Sequence, residues 1–129
     1  MVLVDTSVWV EFFRKPSRID LPAVVDLDEV VTCLPVLQEV LQGFREEPAF
    51  ALARDAMLSL PVVESPLRQA VFDEAVGLYR RARAAGLTVR SSADCLIAAC
   101  ALRHDLEVWH RDRDYVALAK VSGLQQRAL

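Results

Sequence analysis

The sequence predicts an α/β fold with a mostly parallel sheet that is covered by helices on both faces. Short apolar segments alternate with helical patterns along the whole chain, and this alternation is typical of βαβ crossovers. The segments are short and mostly apolar, as expected for strands that are buried on both faces. The chain has 129 residues, of which 53% are hydrophobic, which suits one domain with a sizeable core. We therefore expect a single domain over residues 1–129.

Five short segments are predicted to form the strands of this sheet. They are Met1–Val4, Val30–Leu34, Pro61–Glu64, Glu107–Trp109 and, as a final edge strand, Leu124–Arg127. The first four carry apolar, mostly β-branched or aromatic side chains, which favour strands. The first strand ends at Asp5-Thr6-Ser7, where polar side chains can cap the helix that follows.

Seven helices are predicted around these strands. They are Val8–Phe13, a short helix at Pro22–Asp26, a helix from Pro35 to near Gly43, Pro48–Leu60, Pro66–Ala85, a helix from Ser91 or Ser92 to His104, and Tyr115–Val121. Several begin at proline, and Gly86 can end the longest one. One apolar stripe of that helix is expected to face the core: Phe72, Ala75, Val76, Tyr79 and Ala82. The segment Cys95–Leu102 is apolar on nearly all sides and is expected to be deeply buried.

Composition excludes several classes of protein. The formal net charge is −3, whereas a protein that binds nucleic acid without regard to sequence is strongly basic. The three cysteines, Cys33, Cys95 and Cys100, lack the number and spacing of a disulfide scaffold or a zinc knuckle, so we expect buried thiols. No apolar run has the length of a membrane span, and the apolar start lacks the basic segment of a signal peptide. We therefore expect a cytoplasmic protein.

Five acidic residues are expected near the carboxyl ends of the strands, where open α/β sheets form their functional crevice. They are Asp5, Glu39, Asp94, Asp112 and Asp114. Each one alone has an ordinary explanation, either as a helix cap or as a solvated charge. Asp94, however, is followed by eight residues without a charge, so its helix has little exposed surface. A buried carboxylate without a partner is costly.

A shared divalent cation would remove this cost. The sequence provides no dedicated cationic side chain beside each acid. Two carboxylates about 4 Å apart repel each other by about 4 kcal/mol at an effective dielectric constant of 20. Oxygen ligands favour Mg²⁺ or Mn²⁺ over zinc. Both one ion and two ions are compatible with the sequence.

Four short motifs in this order and spacing resemble the PIN domain and, within it, the VapC-type toxins of type II toxin–antitoxin systems. The motifs are Asp5-Thr6-Ser7-Val8-Trp9, Glu39 with Gly43, Ser92-Ala93-Asp94, and Asp112-Arg113-Asp114-Tyr115. The resemblance extends over essentially the whole chain. It implies a three-layer α/β/α fold with a sheet of about five strands.

The resemblance also implies an activity and its partners. These are an Mg²⁺- or Mn²⁺-dependent endoribonuclease that cuts tRNA or rRNA, a homodimer, and a VapB-type antitoxin that neutralises it. The family's catalytic and metal-binding quartet corresponds to Asp5, Glu39, Asp94 and Asp112, with Asp114 as an auxiliary metal ligand. The apolar segment Val8–Phe13 is a candidate partner surface.

Other residues are expected to support this site. Thr6 and Ser7 supply the hydroxyls that the family places beside its first Asp. His110 stands where the family often has Ser or Thr, and it could orient a carboxylate, contact the phosphate, transfer protons or be purely structural. The candidate contacts to the RNA backbone are Arg90, Arg111 and Arg113, which lie near the acids in the sequence.

Two alternative functions are considered. The first is a PIN-like RNA- or protein-binding domain without activity, against which the complete set of acids argues. The second is a phosphoryl-transfer domain, either a haloacid-dehalogenase-like phosphatase or a receiver module. The phosphatase requires a second Asp where Ser7 stands, and the receiver requires a late Lys, whereas Lys120 lies in a predicted helix.

Overall fold

The computed structural model describes residues 1–129 and contains one parallel sheet of five strands in the order β3-β2-β1-β4-β5. The strands are β1 (Val2–Val4), β2 (Val30–Cys33), β3 (Val62–Val63), β4 (Glu107–His110) and β5 (Gln126–Ala128). β1 lies at the centre of the sheet, where Leu3 is in register with Val31 of β2 and with Val108 of β4. All four neighbouring pairs are parallel. The predicted α/β fold is therefore confirmed.

Seven α-helices cover the sheet. They are α1 (Thr6–Phe13), α2 (Leu21–Val24), α3 (Leu34–Gln42), α4 (Glu47–Leu58), α5 (Gln69–Ala84), α6 (Ser92–Arg103) and α7 (Asp114–Lys120). All four residues of β2 are buried. Because successive strand residues point to opposite faces, both faces of the sheet are covered, as predicted.

The boundaries differ from the predicted ones where a local contact interrupts the pattern. The longest helix begins at Gln69 rather than at Pro66, because Arg68 has an extended backbone. The last strand begins at Gln126 rather than at Leu124, because the Leu124 N–H is bonded to Ser122 Oγ within the preceding turn.

The short second helix also differs from its prediction. It covers Leu21–Val24 and not Pro22–Asp26. The Asp26 side chain instead accepts the Asp28 N–H and starts a separate 3₁₀ turn at Leu27–Glu29. The prediction missed this 3₁₀ turn.

The predicted core-facing stripe of α5 is wrong for three of its five residues. Phe72, Val76 and Tyr79 are 47%, 57% and 42% exposed. The buried face consists of Val71, Ala75, Leu78 and Ala82. The helix is apolar around more than half of its circumference, and packing against α6 selects the face that carries Val71 and Leu78.

Helix α6 is buried as predicted, with seven of its residues in the interior. The three cysteines are buried and free, which is also as predicted. No helix of the structure has both the length and the apolar character that crossing a bilayer requires.

Two matched substitutions test the orientation of α5. Val71→Ala removes a fully buried side chain, so we expect the free energy of unfolding to fall by about 2 kcal/mol. Val76→Ala makes the same change at an exposed position of the same helix, and we expect a change within about 0.5 kcal/mol. Urea unfolding measures both values. Equal effects would show that the helix is oriented differently.

Candidate active site

The carboxyl ends of β1 and β4 bring Asp5, Asp112 and Asp114 to one edge of the sheet. Asp5 follows β1 directly, is 2% exposed, and is tied to β4 by its N–H, which donates to the Trp109 carbonyl at 2.9 Å. Asp112 lies in the loop that follows β4, and Asp114 is the first residue of α7. Because β1 and β4 are neighbouring parallel strands, the residues that follow them meet at this edge.

Asp94 reaches the same place from the first turn of α6. It is 4% exposed, and the hydroxyl of the N-cap residue Ser91 accepts its N–H. Burial raises the pKa of the Asp94 carboxyl to about 9, with further contributions from the nearby Asp112, Asp5 and Asp114. The partial positive charge of the helix N-terminus does not outweigh this burial, so the side chain holds a proton when no cation is present.

Three of the acids form a compact cluster. Asp94, Asp112 and Asp114 each place one carboxylate oxygen within 4.8 Å of the other two. Two buried oxygens in this cluster, Asp94 Oδ2 and Asp114 Oδ1, have no hydrogen-bond partner. Buried polar atoms without a partner are rare and costly, and carboxylate oxygens are the ligands that hard divalent cations prefer. The residues present therefore fit a bound Mg²⁺ or Mn²⁺.

Asp114 has a second role, because its other oxygen anchors the start of α6. Asp114 Oδ2 accepts the backbone N–H groups of Arg90 and Ser91, both at 3.0 Å. This pair of bonds fixes the carboxylate and leaves Oδ1 as the buried oxygen without a partner. The sequence placed Asp114 as an auxiliary acid, whereas the structure places it within the central cluster.

Glu39 lies at the border of the site and outside the three-acid cluster. It projects from α3 and accepts the Thr6 hydroxyl at Oε1, at 3.0 Å. Burial raises its pKa, the Thr6 hydrogen bond lowers it, and the charges of Asp5 and Asp112 raise it further. Glu39 is therefore close enough to be repelled by both aspartates, as a shared site requires.

Asp5 is both a helix cap and a member of the site. Its Oδ2 accepts the Ser7 N–H at 3.0 Å and the Ser7 hydroxyl at 2.6 Å, and so caps α1. Ser7 Oγ in turn accepts the Arg111 N–H at 2.9 Å. The Ser7 hydroxyl thus connects Asp5 to the loop that carries Asp112.

Sequence reasoning missed the role of Tyr115. This side chain is fully buried, and its hydroxyl donates to Asp5 Oδ1 at 2.5 Å while lying 3.3 Å from Asp94 Oδ1. Burial and the two acids raise the pKa of the phenol well above its ordinary value, so that it stays a donor. The one available signal was that Tyr115 is the last residue of the Asp112-Arg113-Asp114-Tyr115 motif.

His110 does not point a free nitrogen into the site. It is 1% exposed, its Nδ1 accepts the Asp112 N–H at 3.1 Å, and its Nε2 lies 2.6 Å from Gln126 Oε1. This geometry suits a role in orienting the loop that carries Asp112. Both ring nitrogens already have a partner, so neither is free to contact a phosphate.

The three candidate arginines differ in what they contact. All three are exposed. The Arg111 Nε donates to the Leu129 carbonyl at 3.0 Å, which holds that guanidinium against the end of the chain. Arg90 contributes its backbone N–H to Asp114, and its side chain remains exposed together with that of Arg113.

The model of the PIN domain family matches residues 2–121. The chain belongs to the PIN-domain family. It is 38% identical over 131 residues to the VapC ribonuclease Mb1587 of Mycobacterium bovis and to Ribonuclease VapC11 of Mycobacterium tuberculosis. Each match covers 97% of this chain and 96% of the relative.

Solved structures share the fold of this PIN domain. VapBC2 from Rickettsia felis, bound to a promoter DNA fragment, matches with a TM-score of 0.78 at 16% identity and covers 100% of this chain and 99% of that chain. VapBC-5 from M. tuberculosis matches with a TM-score of 0.72 at 22% identity and covers 99% and 98%. The phosphoryl-transfer alternative is wrong, because the chain is a PIN domain and Ser7 supports Asp5 instead of being a second acid.

An apolar groove borders the acid site of this PIN domain. It has a volume of about 780 Å³, is lined by α3, α5 and α6, and includes the exposed α5 side chains Phe72, Val76 and Tyr79. Glu39 lines the groove as well. The groove and the site therefore meet at this one carboxylate.

Removing the Asp94 carboxyl is expected to change how stability depends on pH. Without divalent ions, burial raises the pKa of native Asp94 from its ordinary value of 3.8 to about 9. The native state then binds more protons than the unfolded state between these values, so this group lowers the free energy of unfolding as the pH rises. We expect Asp94→Asn to flatten that decline.

Urea unfolding in EDTA from pH 5 to pH 9 measures this effect. The control is Asp55→Asn, at an exposed position of α4, which is expected to keep the wild-type slope. If Asp94→Asn had the same slope as the wild type, the buried carboxyl would not be protonated in the native state.

Proposed function

We propose that this PIN domain, over residues 1–129, is a divalent-metal-dependent endoribonuclease that hydrolyses phosphodiester bonds of tRNA or rRNA. We further propose that it is the toxin of a type II toxin–antitoxin pair and acts in the cytoplasm. The single observation that carries the activity is the cluster of Asp94, Asp112 and Asp114, with two buried oxygens that lack a partner. The relatives at 38% identity, which are named as VapC ribonucleases, support the same activity.

Five residues would hold and surround the cation. Asp94, Asp112 and Asp114 would be its inner ligands, and Asp5 and Glu39 lie at the border of the same cluster. All of the donors are oxygen atoms, which favours Mg²⁺ or Mn²⁺. When bound, the cation would supply Lewis-acid stabilisation of the charge that develops on the phosphate.

The chain's own residues prepare the site for this chemistry. Ser7 donates to one oxygen of Asp5 and Tyr115 donates to the other, so this acid needs no rearrangement during the reaction. Glu39 uses Oε1 towards Thr6, which leaves Oε2 to orient the attacking water. The exposed guanidinium groups of Arg90 and Arg113 are suited to contacting the RNA backbone.

RNA cleavage with and without divalent ions tests this proposal. The substrates are purified tRNA and rRNA, with Mg²⁺, Mn²⁺ or EDTA. We expect cleavage only with a divalent ion, and a loss of at least about 100-fold for Asp5→Asn and for Asp112→Asn, because each change removes an oriented carboxylate.

The matched control is again Asp55→Asn, outside the site. Cleavage in EDTA, or full activity of Asp5→Asn, would contradict the proposed mechanism. Absence of cleavage together with metal uptake in a calorimetric titration would favour the PIN-like binding domain without activity.

Two exposed apolar surfaces are available for the proposed partners. We assign the second copy of a homodimer to the α5 stripe of Phe72, Val76 and Tyr79, since a twofold axis can pair one apolar face with itself. We assign a VapB-type antitoxin to α1, where Val10 is 51% exposed. Trp9, in the same segment, is buried, so only part of the predicted Val8–Phe13 surface is available.

Sedimentation velocity tests the dimer surface. Val76→Asp places a charge in the stripe, and we expect it to shift the protein from dimer to monomer. The control Leu52→Asp places the same charge on α4 at a side chain that is 72% exposed, and it is expected to remain dimeric. Dissociation of the control alone would move the interface to α4.

A further inference from the structure

The loop that carries Asp112 and Asp114 is held by residues outside the acid cluster. His110 is the last residue of β4 and is 1% exposed. Its Nδ1 lies 3.1 Å from the Asp112 nitrogen, and its Nε2 lies 2.6 Å from Gln126 Oε1. Both ring nitrogens therefore have a partner, one in the loop and one in the neighbouring strand.

These two contacts determine which nitrogen carries the hydrogen. The Asp112 nitrogen is a backbone N–H and can only donate, so Nδ1 must be the bare, accepting nitrogen. A neutral imidazole then has its hydrogen on Nε2, which donates to Gln126 Oε1. Gln126, the first residue of β5, is paired in register with Val108 of β4, so the acceptor lies on a fixed backbone.

The same chain of contacts continues into the acids. His110 Nδ1 accepts the Asp112 N–H, and Asp112 Oδ1 in turn accepts the Asp114 N–H at 2.9 Å. Each of these contacts joins a side chain to the N–H two residues further on, which is a turn-forming arrangement. Gln126, His110, Asp112 and Asp114 therefore form one continuous series that ends in the cluster.

We propose that Gln126 and His110 are a positioning pair for the two acids. Gln126 fixes the tautomer of His110, and His110 in that tautomer orients the loop so that Asp112 and Asp114 face Asp94. This inference rests on the proposed metal site. A Ser or Thr at position 110 could rotate its hydroxyl so that the oxygen accepts the Asp112 N–H, and it would need no second residue to hold its hydrogen. An imidazole requires an external acceptor on Nε2, and Gln126 provides it.

A double-mutant cycle on metal binding tests the pair. Gln126→Met keeps the side-chain length and removes the acceptor. We expect it to weaken Mn²⁺ binding about 10- to 100-fold in calorimetric titration, as loss of an outer positioning contact does. The control Gln125→Met makes the same change at the exposed neighbour and is expected to alter binding less than about twofold.

The decisive comparison is the same change in a His110→Asn background. The Asn side-chain oxygen can accept the Asp112 N–H without any tautomer to fix. There, Gln126→Met is expected to weaken binding less than about twofold. If it weakened binding equally in both backgrounds, Gln126 would act through the packing of β5 and the proposal would be overturned.

A second measurement reports on the tautomer directly and requires no metal. Long-range ¹H–¹⁵N NMR of the wild-type protein in EDTA is expected to show His110 with its hydrogen on Nε2, and Gln126→Met is expected to show a mixture of tautomers. A wild-type hydrogen on Nδ1 would overturn the pair. Failure of the metal site would appear differently, as unchanged Mn²⁺ binding by Asp112→Asn while the tautomer stays on Nε2.

Discussion

Repulsion between carboxylates in a buried pocket is the constraint on which the rest of this site depends. One carboxylate oxygen from each of Asp94, Asp112 and Asp114 lies within 4.8 Å of the other two, and Asp94 is 4% exposed. No arginine or lysine enters this cluster. Instead, neutral donors surround the acids, namely the phenol of Tyr115 and the backbone N–H groups that face Asp114. Neutral donors orient the oxygens without cancelling their charge, which leaves that charge for a cation to neutralise.

Structural and functional explanations of these acids turn out to be compatible. Asp5 caps α1 with Oδ2 and meets Tyr115 with Oδ1. Asp114 anchors the start of α6 with Oδ2, while its buried Oδ1 has no hydrogen-bond partner. A carboxylate has two oxygens, and in both residues one of them serves the fold. The helix ends thereby hold the acids in place, so their position depends on secondary structure and not on flexible side chains.

The sequence was sufficient for the parallel sheet and for the meeting of the acids, because strand ends in such a sheet share one edge. It was not sufficient to predict which face of α5 is buried. Phe72 and Val76 are as apolar as Val71 and Leu78, and only the packing distinguishes them. The contact from Tyr115 to Asp5 spans 110 positions, and no local pattern predicts it. The same is true of Gln126, whose role depends on the register of β5.

The site is built into the core and not onto its surface. Asp5 directly follows the central strand, Asp94 lies in the first turn of the buried helix α6, and Asp114 begins α7. An ion that joined these three elements would bind only the folded chain. The free energy of unfolding of the whole domain would therefore rise with the concentration of free ion. Ion supply would thus govern the lifetime of the protein against proteases as well as its catalytic rate. A shortage of ions would then lower the stability of the domain as well as the rate of the reaction.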